Sequence, residues 1–174
     1  SIESIENIIR ENVKQGLSSF FISDDDFARN KNWEGILDKF IELREVHKLK
    51  ISFTIQVDTL CYNLPGFIEK SGRAGVKRAF IGLENINPDS LLGASKRQNK
   101  ITDYRAMLLA WKKVGVITCC GYILGFPNDT QESILRDIEI IKRELPVDLL
   151  EFFYLTPFPG SEDHKKLHAI GTEM

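Results

Sequence analysis

Apolar residues recur at three- and four-residue spacing in Ile2, Ile5, Ile8, Ile9 and Val13, which marks one face of a helix, and Gly16 stands where such a helix commonly ends. A short continuous apolar run follows, Phe20, Phe21 and Ile22, and it breaks at Asp24, Asp25 and Asp26. Three adjacent carboxylates are too charged to remain inside a sheet, so the strand is expected to end there.

This helix-then-strand phrase repeats down the chain. Asn32 is placed to cap a helix bearing Ile36, Leu37, Phe40, Ile41, Leu43 and Val46, after which ISFTIQV reads as a strand closed by Asp58. LPGFIEKSGRAG reads as a short helix ending on glycine, and AFIGL as the next strand, ending at Glu84. Asn87-Pro88 opens a turn or short helix, and TDYRAMLLAWKKVG is a longer helix with its lysines at the end that the helix dipole favours. ITCCGYILG is a strand. Asp129 or Thr130 caps TQESILRDIEIIKREL, Pro146 stops that helix, and LLEFFYL is the last strand.

Strands starting at about residues 20, 51, 78, 117 and 149 are each separated by the length of one strand, one helix and two loops. Continuously apolar strands alternating with helices predict right-handed crossovers and a parallel sheet covered on its outside. The fold class expected is α/β: a parallel-stranded partial TIM-type (β/α) barrel of about five βα units, with an open doubly wound sheet as the alternative. A closed barrel of eight units usually needs at least about 200 residues. The chain, residues 1–174, therefore reads as a single partial barrel domain, and its start on a helix predicts that the first strand is missing and the domain truncated on its N-terminal side.

Composition narrows the classes. The 43% hydrophobic and 28% charged residues suit a folded core and exclude disorder or collagen-like order. With 23 basic against 25 acidic side chains, there is no electrostatic case for nucleic acid or an anionic membrane. No membrane-spanning run occurs, SIESIENIIREN lacks the order of a signal peptide, and three cysteines form neither an even disulfide set nor a Cys-x-x-Cys pair. A reducing cytoplasmic setting is the natural expectation.

In parallel sheets, ligands bind at the carboxyl ends of the strands. The tips here are Asp24, Asp25 and Asp26; Gln56 and Asp58; Glu84 and Asn85; Gly125, Pro127 and Asn128; and Thr156, Pro157, Pro159 and Gly160. Asn30, Asn32, Asn87, Asp129 and Thr130 are most simply helix caps. One cap accounts for only one of three adjacent aspartates, which leaves a ligand or metal role open for the others. Glu84 follows Gly82, whose missing side chain leaves room beside the backbone, and its carboxylate suits two vicinal hydroxyls or an ammonium; a salt bridge to Lys77 or Arg78 is the structural alternative. Gly121 and Gly125 permit close approach of a flat ligand, or merely ease packing. LTPFPG is a rigid loop that presents backbone groups in fixed directions. His164 and His168 read as exposed surface, and Lys96, Arg97 and Lys100 as a solvated basic loop. No phosphate-binding GxxxxGK[ST] loop, GxSxG elbow or GxGxxG turn occurs.

SDDDFARN, FIGLENINPDSL, GYILGFPNDT and LTPFPGS, in that order across nearly the whole chain, resemble radical S-adenosylmethionine enzymes, especially the group with a cobalamin-binding domain. The resemblance implies a parent enzyme in which a [4Fe-4S] cluster reductively cleaves S-adenosylmethionine to a 5′-deoxyadenosyl radical, with cobalamin as a further cofactor of that group. It places Asp24 and Asp25 near the methionine amine, Glu84 at the ribose, and Gly121, Ile123 and Gly125 beside adenine. Asn128 stands where the last motif often has Glu, and Thr156 and Pro157 lie where backbone groups meet the base edge; Gln56 belongs to the same rim. The cluster-binding Cys-x-x-x-Cys-x-x-Cys is absent, because Cys61, Cys119 and Cys120 do not supply it. The resemblance thus implies a fragment beginning after the cysteine loop and inactive by itself. Two other readings compete: a hydrolase holding Mg or Mn through Asp24, Asp26 and Glu84, and a binding domain without chemistry. The small-molecule substrate is not identified by the sequence. The exposed sheet edge is expected to promote self-association.

Overall fold

A computed structural model of the chain describes residues 1–87 and 101–171. Five strands, β1 (Ser19–Phe21), β2 (Ser52–Asp58), β3 (Val76–Glu84), β4 (Ile117–Leu124) and β5 (Leu149–Tyr154), form one sheet in sequential order. Every neighbouring pair is parallel. The helices are α1 (Ile2–Lys14), α2 (Trp33–Glu45), α3 (Phe67–Ala74), α4 (Ile101–Lys113), α5 (Gln131–Glu144) and α6 (Glu162–Ala169). Strands in chain order joined by helical crossovers make a half-barrel, as the periodicity predicts. Single 3₁₀ turns, Phe27–Arg29 and Thr59–Asn63, follow β1 and β2. The turn begun by Asn87-Pro88 and the basic loop of Lys96, Arg97 and Lys100 fall largely or wholly outside the described residues.

The core lies between the sheet's outer face and the helices. On β2, Phe53, Ile55 and Val57 are buried while Ser52, Thr54, Gln56 and Asp58 face the open concave side at intermediate exposure. On β3, Ala79, Ile81 and Leu83 alternate in the same way with Phe80, Gly82 and Glu84. Phe40 of α2 stacks on Phe53 with ring centroids 4.0 Å apart, and Phe67 of α3 meets Trp33 and Trp111 edge-on. Phe40, Phe53 and Phe67 are fully buried, and burying a side chain of that kind contributes about 1.5–3 kcal/mol of transfer free energy. Among the described residues no helix is long and apolar enough to cross a membrane.

Several ends are made differently from the sequence expectation. Asn32 occupies the N-cap of α2 without a side-chain cap bond; its own amide donates to Asn30 Oδ1 instead. Thr130 caps α5 in a reciprocal box with Ser133, so Asp129 is left for another task.

Candidate cofactor-binding site

Parallel register carries the strand tips to one rim. Asp58 lies beside Gly82, Gly82 beside Gly121, and Leu124 beside Tyr154. A cleft of about 380 Å³ opens there, within the range of small-molecule sites. Asp25, Asp26 and Arg29 from the loop after β1 form one wall, Gln56 and Asp58 of β2 the middle, and Phe80, Gly82 and Glu84 of β3 the other wall.

The three aspartates have separate roles. Asp24 closes its own loop, accepting from Asn30 Nδ2 at 2.7 Å and from the Asp26 amide at 3.3 Å. Asp26 and Asp58 share the guanidinium of Arg29, at 2.8 and 2.5 Å. Burial, and then the nearby Asp58 carboxylate, raise the Asp26 pKa above the ordinary carboxylate value. Asp25 is exposed at the cleft mouth and makes no hydrogen bond or ion pair with the described residues. The SDDDF run thus supplies two structural carboxylates and one exposed at the mouth of the cleft. Arg29, unremarked in the sequence, is recoverable from its three-residue spacing to Asp26.

Glu84 has φ of 65°, in the left-handed region that favours glycine. The amide of Asn85 donates to Leu83 O at 2.9 Å across it, which makes Glu84 the centre of a γ-turn of the uncommon positive-φ kind. Register also shifts between Gly82 and Glu84. Glu84 Oε1 comes within 3.1 Å of where a β-carbon on Gly82 would stand. Gly82 therefore makes room for the Glu84 carboxylate itself, which fills the space the sequence left open. Backbone strain of this kind costs about 1–3 kcal/mol and concentrates at functional sites.

The β4 residues are more divided. A β-carbon on Gly121 would stand 2.9 Å from the Phe80 ring and 3.4 Å from that of Phe153, so this glycine accommodates two aromatic rings. Ile123 is half-buried, and its carbonyl accepts from Asn85 Nδ2 at 3.3 Å. Gly125 has φ of 93° and donates its amide to Asp129 Oδ2 at 2.8 Å; Phe126 donates to the same oxygen at 2.9 Å. Asp129 is thus the clasp of the strand-end turn, while Asn128 beside it is exposed. Thr156 bonds back to Tyr154 O at 3.0 Å and, with half-buried Pro157, follows β5 outside the cleft.

Metal chemistry finds no support here. With Asp24 held in its loop and Asp26 paired to Arg29, the Asp24–Asp26–Glu84 hydrolase site is not assembled, and among the described residues no group of His, Cys, Asp or Glu could hold a metal ion. The rings of His164 and His168 stack at 6.1 Å on the surface of α6. Cys119 looks toward the concave face and Cys120 into the core, as adjacent strand residues must. Burial pushes the Cys61 and Cys120 thiols up to about 12, the reverse of what thiolate ligation needs.

A half-barrel of parallel strands with an acidic rim cleft defines a class, and the family models agree: residues 1–141 match the radical SAM superfamily, to which the chain belongs. It is 31% identical over 126 residues to the bacteriochlorophyllide d C-12(1)-methyltransferase of Chlorobaculum tepidum, covering 70% of this chain and 27% of that protein. An uncharacterized methyltransferase of Pyrococcus horikoshii is 27% identical over 166 residues, covering 91% of this chain and 34% of its own. The fold matches the radical S-adenosylmethionine methyltransferase TsrM of Kitasatospora setae, solved with cobalamin and a [4Fe-4S] cluster, at a TM-score of 0.83 and 16% identity, over 99% of this chain and 33% of that one. The chain thus spans about a third or less of the length of these relatives.

The three groups that the family and this neighbour bring to mind fit unequally. A [4Fe-4S] cluster does not fit the cysteines present, which are separately buried. A corrin with its nucleotide tail is far larger than the cleft. S-adenosylmethionine fits: the cleft has the volume of such a ligand, and four carboxylates against one guanidinium suit a molecule carrying ammonium and sulfonium charges.

Proposed function

We propose that this chain forms the S-adenosylmethionine-binding wall of a radical SAM methyltransferase acting in the cytoplasm on a small molecule. The observation that carries this reading is the meeting of Asp25 and Glu84 in one cleft from tips of different strands. When bound, S-adenosylmethionine supplies an activated sulfonium whose bonds break to release a methyl group or, on one-electron reduction, a carbon radical. Asp25 accepts from the ligand ammonium, Glu84 accepts from ribose hydroxyls, and Gln56 offers a neutral donor and acceptor between them. Arg29 holds Asp26 and Asp58 in place and limits their mutual repulsion. Methyl transfer as the outcome is supported by the two methyltransferase relatives. Three unpaired cysteines support a reducing compartment.

Calorimetry with S-adenosylmethionine and S-adenosylhomocysteine tests the reading, because the two differ by the methyl group and its sulfonium charge. An acidic cleft predicts tighter binding of the sulfonium, with the preference shrinking as salt is raised. Equal affinity at low salt, or no binding of either, would reject it.

The open edge of β1 also supports self-association. Beside it runs an apolar groove lined by Ile5, Ile8, Phe20 and Phe21, with Ile8 60% and Phe21 58% exposed.

A further inference from the structure

Behind Glu84, on the side away from the cleft, lies a buried polar chain that none of the site chemistry so far uses. Asn85 is 1% exposed, and its side chain is oriented by two backbone groups: Oδ1 accepts from the Asn87 amide at 2.7 Å, and Nδ2 donates to Ile123 O at 3.3 Å. Tyr122, 1% exposed on β4, places its hydroxyl 3.1 Å from the same Asn85 Oδ1 and 3.3 Å from Asp137 Oδ2 of α5. A phenol has one proton to give, and it lies between two oxygens. The Asn87 amide fixes which Asn85 atom is the acceptor, so Tyr122 can donate to Asn85 and keep its bond to Asp137 in one arrangement only: Asp137 O–H donates to Tyr122, and Tyr122 O–H donates to Asn85. If Asp137 is ionised, it accepts the phenol O–H, and Asn85 Oδ1 is left with the Asn87 amide as its one donor.

We propose that Tyr122 and Asp137 are positioning residues for Glu84, holding its γ-turn through Asn85 when Asp137 is protonated and loosening it when Asp137 ionises. The inference rests on the reading of the cleft as an S-adenosylmethionine site and adds a control to it. Three features support it. The turn is strained and needs restraint, because Glu84 has φ of 65°. The Tyr104 hydroxyl lies 3.4 and 3.5 Å from Leu83 O and Asn85 O, the carbonyls flanking Glu84, so the turn is held on both sides. Asp137 is 5% exposed, and burial favours its neutral form. The groups facing Asp137 are Tyr122 from β4, Arg136 at 3.8 Å on its own helix, and Asp129 from the preceding loop; the Tyr122 hydroxyl and then Arg136 favour ionisation, and Asp129 opposes it. The backbone of Ile86 also faces the Tyr122 oxygen and ties the phenol to the segment after the turn.

The test uses amide hydrogen exchange by NMR together with the dissociation constant for S-adenosylmethionine, on wild type, Tyr122→Phe and Asp137→Asn across pH 4 to 8. Corrected for intrinsic rates, exchange at Asn85 and Asn87 is expected to be about tenfold faster in Tyr122→Phe, with Ile55 in β2 unchanged as the internal control for folding. In wild type the same two amides speed up as pH rises through the Asp137 titration, and affinity weakens about tenfold in parallel. Asp137→Asn keeps an N–H donor toward Tyr122 and should stay at the protected, tight-binding level throughout, a rescue that loss of packing cannot produce. Unchanged exchange in Tyr122→Phe, or an Asp137→Asn profile that follows wild type, overturns the proposal. Faster exchange with unaltered affinity also overturns it. Failure of wild type to bind S-adenosylmethionine at any pH rejects the underlying reading instead, and the exchange data still decide whether Tyr122 restrains the turn.

Discussion

The rings of Phe80 and Phe153 meet edge to face across β4, with centroids 6.2 Å apart and planes at 81°, directly over Gly121. Residues from β3 and β5 touch because the strand between them carries no side chain at that level. The concave face of the half-barrel is thereby floored with aromatic surface below the polar rim.

Gly121→Ala tests this floor. The added methyl would press on the edge of the Phe80 ring and force it to move. A loss of about 1–3 kcal/mol is expected for such overpacking, read as a fall in Tm of about 2–4 °C per kcal/mol for a chain of this size. An unchanged melt would show the rings to be loosely seated.

A second prediction concerns acid stability. Asp148, in the loop before β5, accepts from the amide and hydroxyl of Thr118 at the start of β4, both at 2.9 Å. The Thr118 amide, above all, holds the Asp148 carboxyl below its ordinary range, with Lys112 assisting. A depressed folded-state pKa means stability that is present above the unfolded-state value and lost as pH falls through the folded one. Asp148→Ala should destabilise by about 1–3 kcal/mol at neutral pH and flatten the acid limb of the denaturation profile. A parallel-shifted limb would contradict the assignment.

Self-association should depend on the β1 edge. Phe21→Lys places a charge on the exposed strand, and Ile8→Glu one on the adjoining helix face. Light scattering over a range of concentrations should show wild type associating and both variants shifted toward monomer. A wild type monomeric at every concentration would remove the edge from consideration.

Much of the architecture was legible because the period of the apolar residues switches cleanly between helix and strand. Phe53, Ile55 and Val57 alternate on β2 as a half-covered strand requires, and Gly75 ends α3 with φ of 95°. The site was legible only in outline. SDDDF shows three equal aspartates; the fold distinguishes them by giving Asp24 to Asn30, Asp26 to Arg29, and Asp25 to the cleft mouth. Arg29 follows Asp26 at a three-residue spacing, but the pairing of Asp24 with Asn30 and the exposure of Asp25 are set by loop geometry. Glu84 was found by its place at a strand tip, yet its positive φ was hidden, since non-glycine residues there are uncommon. A missing side chain at Gly121 reads identically whether the vacated space receives a ligand or a neighbour's ring, and in the fold the rings of Phe80 and Phe153 stand beside it. Asp129 and Thr130 are equally good caps by sequence; the fold gives the cap to Thr130 and the strand-end turn to Asp129.

If the cleft binds the cofactor, Asp25 and Glu84 act on one ligand, and titration calorimetry with S-adenosylmethionine on wild type, Asp25→Asn, Glu84→Ala and the double variant measures that directly. A charge-assisted contact of about 1.5–3 kcal/mol corresponds to a loss of roughly tenfold or more in affinity for each single variant. Both singles should weaken binding while melting as wild type does, and the double should retain no measurable heat. Wild-type heats preserved in Glu84→Ala and Asp25→Asn alike would contradict the assignment of this cleft to the cofactor.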